Sequence, residues 1–338
     1  MTNDSRKKVT SIITRTNTNH KAFWMGNPHT ETLEMYLKKL DLQQYEDLCA
    51  YLDDDCRCMI ADGAYKHPDG APIFDPLGGK KQTHYSQDGV FAECTDLSEV
   101  EAYPWPDPDH LDFKEIIEAI EIRNTKGIFT GFWSHFFHLA CDFFGMENYF
   151  LKMYTDPLIA EAVTTKIVDF YEEANDRFFT ALGNRADILF IGNDLGSQLD
   201  LLVSPECFDK FLLPGFKRLV RVAHKHNKKV LLHSCGSIYK IIPRLIDIGV
   251  DALNPIQALA HNMDAETLGR EFGKDLAFVG GIDTQELLVN GTPEDVRREV
   301  HRVRKCLGPN TIISPSHECL LPNIPFENTL AMAKAAKE

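Results

Sequence analysis

The sequence predicts an α/β fold, an eight-stranded (β/α)8 TIM barrel. Short apolar runs rich in β-branched residues alternate with amphipathic stretches from one end of the chain to the other. This alternation is typical of βα units around a parallel sheet, and eight such repeats are the number that closes a barrel. The predicted strands cover residues 22–25, 56–61, 127–130, 188–191, 229–232, 252–254, 277–279 and 311–314.

Helical patterns lie between most of the predicted strands. In the last of them, Val296, Val300 and Val303 recur at helical spacing. Thr292 and Pro293 come directly before this pattern and are a typical cap and first helical residue. The predicted helices cover residues 31–40, 113–122, 157–182, 205–224, 238–248, 265–272 and 293–306.

One segment interrupts the alternation of strands and helices. Residues 70–101 contain Pro72, Pro76 and the Gly78-Gly79 pair, together with short alternating runs at 82–86 and 89–92. This composition predicts a hairpin-like insertion before the third strand. No linker divides the chain clearly, so we expect a single barrel domain over residues 1–338.

The charge balance is acidic. The 338 residues include 36 Lys and Arg against 50 Asp and Glu, which gives a formal charge of −14. This balance argues against nucleic acid or an anionic membrane as a partner. No apolar run approaches the roughly 18 residues of a membrane span, and the first residues lack the apolar core of a secretory signal. We therefore expect a cytoplasmic protein whose nine cysteines are reduced and available for metal binding.

A soft metal site is predicted at the carboxyl ends of the strands. His233 and Cys235 follow the fifth predicted strand, and Cys319 lies shortly after the eighth. One imidazole and two thiolates are a zinc ligand set that leaves a position open for chemistry. Glu318 and His317 are competing ligands, and Asp194, Glu318, water or substrate could take the fourth position. The zinc hypothesis therefore depends on Cys319 meeting the His233–Cys235 pair.

Other strand ends carry candidate substrate-binding residues, because catalytic groups of such barrels lie at this face. The region 131–150 is dense in aromatic side chains, which favours a flat or apolar substrate. For Asp283, capping of the next helix is as consistent with the sequence as contact with substrate. The residues expected to bind substrate are Trp24, Phe132, Trp133, His135, Gln198, Gln257 and Asp283.

The chain resembles the uroporphyrinogen decarboxylase superfamily, and within it the corrinoid-dependent (cobalamin) methyltransferase branch. The resemblance covers nearly the whole length, and the family fold is a (β/α)8 barrel. Decarboxylases of the family keep an arginine-bearing R-Q-A-G-R segment near the N-terminus, whereas residues 21–29 contain no arginine. Decarboxylation is therefore the less favoured activity. The motifs that carry the resemblance are residues 193–198, 204–206, 233–237, 248–257, 280–283 and 325–328.

The resemblance implies a zinc-dependent methyltransferase that works with a separate corrinoid protein. Methyltransferase members hold zinc with an H-x-C pair and a distant cysteine, which His233, Cys235 and Cys319 match. The aromatic residues after the third predicted strand favour O-demethylation of a methoxylated aromatic. In that reaction Asp194 or Glu318 would be the catalytic residue that orients or protonates the leaving oxygen. We find no corrinoid-binding D-x-H-x-x-G segment, so cobalamin is expected on the partner.

Three further hypotheses about the function remain open. The first is methyl transfer from a methylcorrinoid to a thiol such as coenzyme M, and the second, less favoured, is uroporphyrinogen decarboxylation. The third is a non-catalytic barrel that holds a structural zinc and binds a corrinoid protein.

Overall fold

A computed structural model describes residues 5–17, 19–84 and 87–338. It contains eight parallel strands that alternate with helices in a nearly closed barrel, which confirms the predicted fold. Hydrogen-bonded neighbours follow the order β1-β8-β7-β6-β5-β4-β3-β2. The strands are β1 Ala22–Phe23, β2 Cys56–Ile60, β3 Gly127–Gly131, β4 Ile188–Gly192, β5 Lys229–His233, β6 Ala252–Ile256, β7 Ala277–Ile282 and β8 Thr311–Pro315.

Helices surround the barrel, and every predicted helix has a helical counterpart. The sequence did not predict α1, α3, α4, α6, α7, α13 or α15. In α6 nearly every residue is buried, so it lacks the polar face that marks a surface helix. The helices are α1 Ser5–Ile13, α2 Thr30–Leu40, α3 Tyr45–Tyr51, α4 Leu97–Ala102, α5 Lys114–Ile122, α6 Phe136–Phe144, α7 Met146–Thr155, α8 Pro157–Leu182, α9 Pro205–Cys207, α10 Leu213–Lys225, α11 Ile242–Asp247, α12 Ala265–Phe272, α13 Leu287–Asn290, α14 Pro293–Leu307 and α15 Phe326–Ala335.

The helices of the described residues include none with the length and apolar character needed to cross a membrane.

Side-chain carboxylates complete the barrel where β1 faces β2. The Asp55 carboxylate accepts a hydrogen bond from the backbone N–H of Phe23 at 3.0 Å, and the Asp54 carboxylate accepts one from Met25 at 2.8 Å. The Asp55 N–H donates in turn to the Phe23 carbonyl at 3.0 Å. These bonds satisfy backbone groups at the seam that would otherwise be buried without a partner.

Helix α1 closes the amino end of the barrel. Val9, Ile12 and Ile13 are fully buried in the same cluster as the side chains that fill the barrel interior. The fit is close at Gly127, where a Cβ atom would lie 2.6 Å from the Val9 side chain. With this end plugged, the carboxyl end of the strands is the face available for chemistry.

The segment predicted as a hairpin-like insertion packs against α6. Its described residues, 70–84 and 87–101, form turns and the start of α4 and contain no strand. The Phe91 N–H donates to the Phe143 carbonyl at 2.8 Å, and the two rings lie 5.5 Å apart. The predicted run 82–86 includes residues 85 and 86, which lie outside the described residues.

Candidate metal centre

His233 stands at the carboxyl end of β5 and is only 3% exposed. Its Nδ1 atom lies 2.9 Å from the Oδ1 atom of Asn254, the matching residue on β6. The Asn254 amide nitrogen donates to the Val279 carbonyl, which turns Oδ1 toward the imidazole. His233 therefore carries its proton on Nδ1 when neutral, which leaves the Nε2 lone pair available to a metal.

Asp194 and Cys235 face the free nitrogen of His233. The Asp194 Oδ1 atom lies 3.2 Å from His233 Nε2 and accepts the backbone N–H of Cys235 at 2.9 Å. The Cys235 sulfur lies 3.6 Å from the same Nε2 atom. One ligand atom from each residue lies within 4.8 Å of the others, so the three form a group able to hold an ion.

The charges of this group are strongly coupled. Burial alone would raise the pKa of the Asp194 carboxyl, but the hydrogen bond and charge of His233 and the Cys235 N–H hold it well below its usual range. Burial alone would lower the pKa of His233, but Asp194 and the Cys235 sulfur raise it well above its ordinary value. The group thus holds a proton on the imidazole that a cation could replace.

Glycines let the loops after β4 and β5 touch. Gly236 has a φ of +81°, and a Cβ atom there would lie 2.2 Å from the backbone of Gly196. The Gly236 N–H donates to the Gln257 side-chain oxygen at 2.7 Å. A residue with a side chain would push these loops apart, so Gly236 is needed to keep Cys235 beside Asp194.

The loop after β8 brings a second set of donors to Cys235. His317 and Glu318 each place a ligand atom within 4.8 Å of the Cys235 ligand atom and of one another. The Glu318 Oε2 atom lies 3.6 Å from His233 Nδ1, is buried and has no hydrogen-bond partner among the described residues. A buried carboxylate oxygen without a donor is costly, and a bound cation would satisfy it.

The loop after β1 fixes the position of Glu318. The Asn27 N–H donates to the Glu318 carbonyl at 2.6 Å. Gly26, with a φ of +84°, lies so close that a Cβ atom would come within 2.2 Å of the same carbonyl oxygen. The predicted strand-end segment 24–29 therefore supports the site through its backbone.

His317 has the properties of a ligand that must lose a proton. When the ring is neutral, its Nδ1 atom accepts the backbone N–H of Cys319 at 3.1 Å, which places the ring proton on Nε2, the nitrogen left to face Cys235. The hydrogen bond with the Cys235 sulfur raises the pKa of His317 to about 8, although partial desolvation of the ring opposes this shift.

Cys319 is not in either group of metal-capable side chains within the described residues. It lines a cavity beside them, and burial and the charge of Glu318 raise the pKa of its thiol. The set of His233, Cys235 and Cys319 therefore remains a prediction. The Cys319 N–H donates to His317 Nδ1 at 3.1 Å, where the loop turns after Glu318.

Among the aromatic residues predicted to bind substrate, Trp133 reaches the site. Its ring lies 5.3 Å from the His233 ring, and its backbone N–H donates to the Asp62 carboxylate at 3.0 Å. Phe132, the next residue along, is fully buried against Phe113 and points toward the outer helices. The prediction for Phe132 is wrong because neighbouring residues at a strand end face opposite sides of the sheet.

Trp24 is also away from the site surface. It is fully buried in the barrel interior, with its ring 5.1 Å from Phe129 and 6.0 Å from Phe190. Phe190 in turn contacts the His233 ring, at 6.2 Å. Trp24 therefore fills the barrel one layer below the site.

The other predicted substrate contacts are placed differently from one another. His135 is half-buried with its Nδ1 atom 3.3 Å from the Tyr171 hydroxyl, and burial lowers its pKa to about 4. Gln198 is exposed, and its carbonyl accepts the His261 N–H. Gln257 is half-buried and lines the same cavity as Cys319.

Asp283 caps the segment after β7. Its carboxylate accepts backbone N–H groups from the three residues Gln285, Glu286 and Leu287 at 2.8 to 3.1 Å. These bonds occupy the carboxylate, so Asp283 acts as a cap and the predicted substrate contact is corrected.

Sequence reasoning missed His138 and the role of Asn254. His138 is half-buried on α6. Its pKa is lowered, mainly by burial and also by the charge of His233, and the charge of Asp194 only partly offsets this shift. Its spacing of three residues from His135, on one helix face, was the available signal. Asn254 occupies a strand end, but only the register of β5 with β6 places it opposite His233.

One solved structure has a fold similar to that of this chain. A solved structure of a methyltransferase from Methanosarcina mazei superposes with a TM-score of 0.66 at 16% identity and covers 98% of each chain. This likeness shows the fold.

Two relatives match part of the sequence. A methylated-thiol–coenzyme M methyltransferase from Methanosarcina mazei is 30% identical over 202 residues, which are 60% of this chain and 51% of the relative. A methylcobamide:CoM methyltransferase from Methanosarcina acetivorans is 25% identical over 197 residues, 56% of this chain and 53% of that protein. The match thus spans about half the length of each relative.

A family-wide match covers almost the whole chain. Residues 10–338 fit the sequence pattern of the family described as uroporphyrinogen decarboxylase (URO-D). The barrel, the strand-end site and this match agree, and the chain belongs to the uroporphyrinogen decarboxylase (URO-D) family.

Proposed function

We propose that the protein is a metal-dependent methyltransferase that moves a methyl group between a small molecule and the cobalt of a separate corrinoid protein. The observation that carries this proposal is the convergence of Asp194, His233 and Cys235 at the carboxyl end of the barrel. The two partial relatives, both named as coenzyme M methyltransferases, support the reaction class.

Zinc fits the donors that meet there. Asp194, His233 and Cys235 would hold it, and His317 or Glu318 would complete the set from the β8 side. A thiolate, imidazoles and carboxylates suit zinc better than magnesium or calcium, which prefer oxygen alone. The Oε2 atom of Glu318 is buried without a hydrogen-bond partner among the described residues, and a cation bound on the β8 side would satisfy it, which supports the proposal. When bound, zinc lowers the pKa of a thiol or phenol and so favours its anion as nucleophile or leaving group.

The protein's own residues position and shield this chemistry. Asn254 fixes the ring of His233 by a 2.9 Å hydrogen bond. Trp133 covers one side of that ring and excludes water from it. With His317 completing the zinc ligands, the Glu318 carboxylate would be free to accept the proton of an incoming thiol or to return one to a leaving oxygen.

The thiol branch has more support than O-demethylation of a methoxylated aromatic. The aromatic prediction relied on the aromatic side chains of residues 131–150, but Phe132 and Phe136 in this region are fully buried. Trp133 alone offers limited stacking area. The relatives are named for thiol substrates. A methoxyarene therefore remains the second candidate substrate.

Porphyrinogen decarboxylation and a purely structural zinc both have less support. Decarboxylation of a porphyrinogen needs cations for its many carboxylates, and the cavity beside the centre has no lysine or arginine among its described lining residues. A structural zinc would be enclosed by its ligands, whereas His317 is exposed.

Methyl transfer by zinc-loaded protein tests the proposal. Methylcobalamin serves as donor to a panel of thiols, and in the reverse assay a methylated thiol or methoxyarene serves as donor to cob(I)alamin. We expect zinc-dependent loss of methylcobalt with a thiol and its abolition in His233→Ala, with the melting temperature retained. Turnover only with methoxyarenes would favour O-demethylation. If zinc-loaded protein transferred no methyl group on either panel, the proposed activity would be wrong.

A further inference from the structure

We propose that the cavity beside His317 binds an uncharged, hydrogen-bonding tail of the small-molecule substrate. This inference rests on the proposed function and names the substrate class of that site. The cavity measures about 300 Å³ and lies between the loops after β6, β7 and β8. His317 belongs both to its lining and to the group around Cys235, so the cavity borders the candidate metal centre.

The size of the cavity limits the tail to a small group. Ligand pockets range from roughly 300 to 1,000 Å³, so this one is at the lower end. A tail of a few heavy atoms fits it, whereas a tetrapyrrole does not. The position of the cavity beside Cys235 means that the reacting sulfur or oxygen would face the metal while the tail fills the space.

The lining carries no permanently charged cation for an anionic tail, because no lysine or arginine is among its described residues. Its histidine, His317, places a ligand atom within 4.8 Å of that of Cys235 and would be neutral as a zinc ligand. The carboxylates of Asp283 and Glu318 belong to residues adjacent in sequence to lining residues. A sulfonate or carboxylate would therefore lose its hydration without gaining a partner.

Three lining residues already use their backbone donors within the protein. The Thr284 N–H donates to the Ser316 hydroxyl at 3.2 Å. The Gln285 N–H donates to Asp283, and the Cys319 N–H to His317, each at 3.1 Å. No row of free N–H groups is thus left at these positions to form an anion nest.

Neutral side-chain groups remain free. The Gln257 oxygen accepts the Gly236 N–H, which fixes the amide and leaves its Nε2 hydrogens without a partner among the described residues. The side-chain amides of Gln285 and Asn323 also make no hydrogen bond with described residues and line the cavity. Amides both donate and accept, so they match a hydroxyl or amide on the ligand.

A comparison of three thiols with the same two-carbon stem separates the effect of a charged tail on binding from that of a hydrogen-bonding tail. Zinc-loaded protein is titrated calorimetrically with 2-mercaptoethanol, ethanethiol and 2-mercaptoethanesulfonate, and affinities are compared for the thiolate form. We expect 2-mercaptoethanol to bind about tenfold more tightly than either of the others, because each of those lacks a matched partner. Gln285→Ala, which removes a cavity amide that supports no metal ligand, should reduce the advantage over ethanethiol and leave ethanethiol binding unchanged.

A charge-gain variant tests the missing cation directly. Gln285→Arg should improve binding of 2-mercaptoethanesulfonate about tenfold, whereas Gln43→Arg, which adds the same charge at an exposed position outside the cavity, should not. Native protein that bound the sulfonate as tightly as the hydroxyl compound would overturn this inference and leave the proposed function intact. If none of the three thiols bound, the proposal that the methyltransferase acts on a thiol would be wrong as well.

Discussion

The two sides of the candidate metal centre are built differently. On the β5 side, His233 ends a buried strand, and Asn254 and Asp194 hold its two ring nitrogens. On the β8 side, His317 and Glu318 lie on a loop, and His317 is exposed. The positions of donors at strand ends are set by the order of strands in the sheet, whereas the positions of donors on loops depend on long-range contacts. The following experiments test this contrast, from the largest expected effect to the smallest.

Loss of the shared thiolate should have the largest effect. Cys235 belongs to both groups of donors, so Cys235→Ala removes a ligand from whichever group holds the ion. Structural zinc binds with roughly 10–16 kcal/mol over four ligands, so we expect the zinc affinity to fall by more than about 100-fold. Competition with a chromophoric chelator measures it. Cys306→Ala, on α14, is the matched control, and an equal loss in both variants would contradict the assignment.

The β5 side should depend strongly on its supporting hydrogen bond. Asn254→Ala removes the acceptor that orients His233, and we expect a loss of about 10- to 100-fold in zinc affinity. Asn254→Asp keeps an acceptor oxygen and should restore most of the affinity. An Asn254→Ala variant with native zinc affinity and an unchanged melting temperature would show that His233 does not need this support.

The β8 side should distinguish His317 and Glu318 from Cys319. His317→Ala and Glu318→Gln should each weaken zinc binding by about tenfold, since each removes a donor that another group can partly replace. Cys319→Ala should change the affinity less than about twofold. The reverse order, with Cys319→Ala the most damaging of the three, would restore the ligand set predicted from sequence.

Proton release should identify His317 as a donor. Its pKa is raised to about 8, so at pH 7 the free protein holds a proton on it. Zinc needs the neutral imidazole, so binding releases that proton, and affinity rises with pH until about pH 8. Titrations in buffers of different ionisation enthalpy should show about one proton fewer for His317→Ala at pH 7. Equal proton counts would mean that His317 is not a ligand.

This contrast also explains what the sequence could predict. The eight strands were found from their apolar runs, and the strand-end rule placed Asp194, His233 and Cys235 at one face of the barrel. The sequence does not show on which side of the sheet each strand-end side chain lies. Phe132 and Trp133 are adjacent aromatic residues, and only the orientation of the strand end decides which of them reaches the site. Likewise Asp283 was an equal choice between cap and contact until its three backbone partners were seen.

The sequence favoured Cys319 as the donor from the β8 loop and left His317 and Glu318 as competing ligands, because the three residues are consecutive and each carries a metal-capable side chain. The direction in which each points depends on how the loop pairs with the β1 loop. The Asn27 and His29 N–H groups donate to the Glu318 and Leu320 carbonyls. These bonds join residues almost 300 positions apart, and no local pattern encodes them.

X-ray absorption at the zinc edge of loaded protein tests the central claim most directly. A single thiolate, Cys235, should give one sulfur neighbour at about 2.3 Å with nitrogen or oxygen neighbours at about 2.0–2.2 Å. Cys319→Ser should leave this spectrum unchanged. Two sulfur neighbours in the native protein that fall to one in Cys319→Ser would contradict the account.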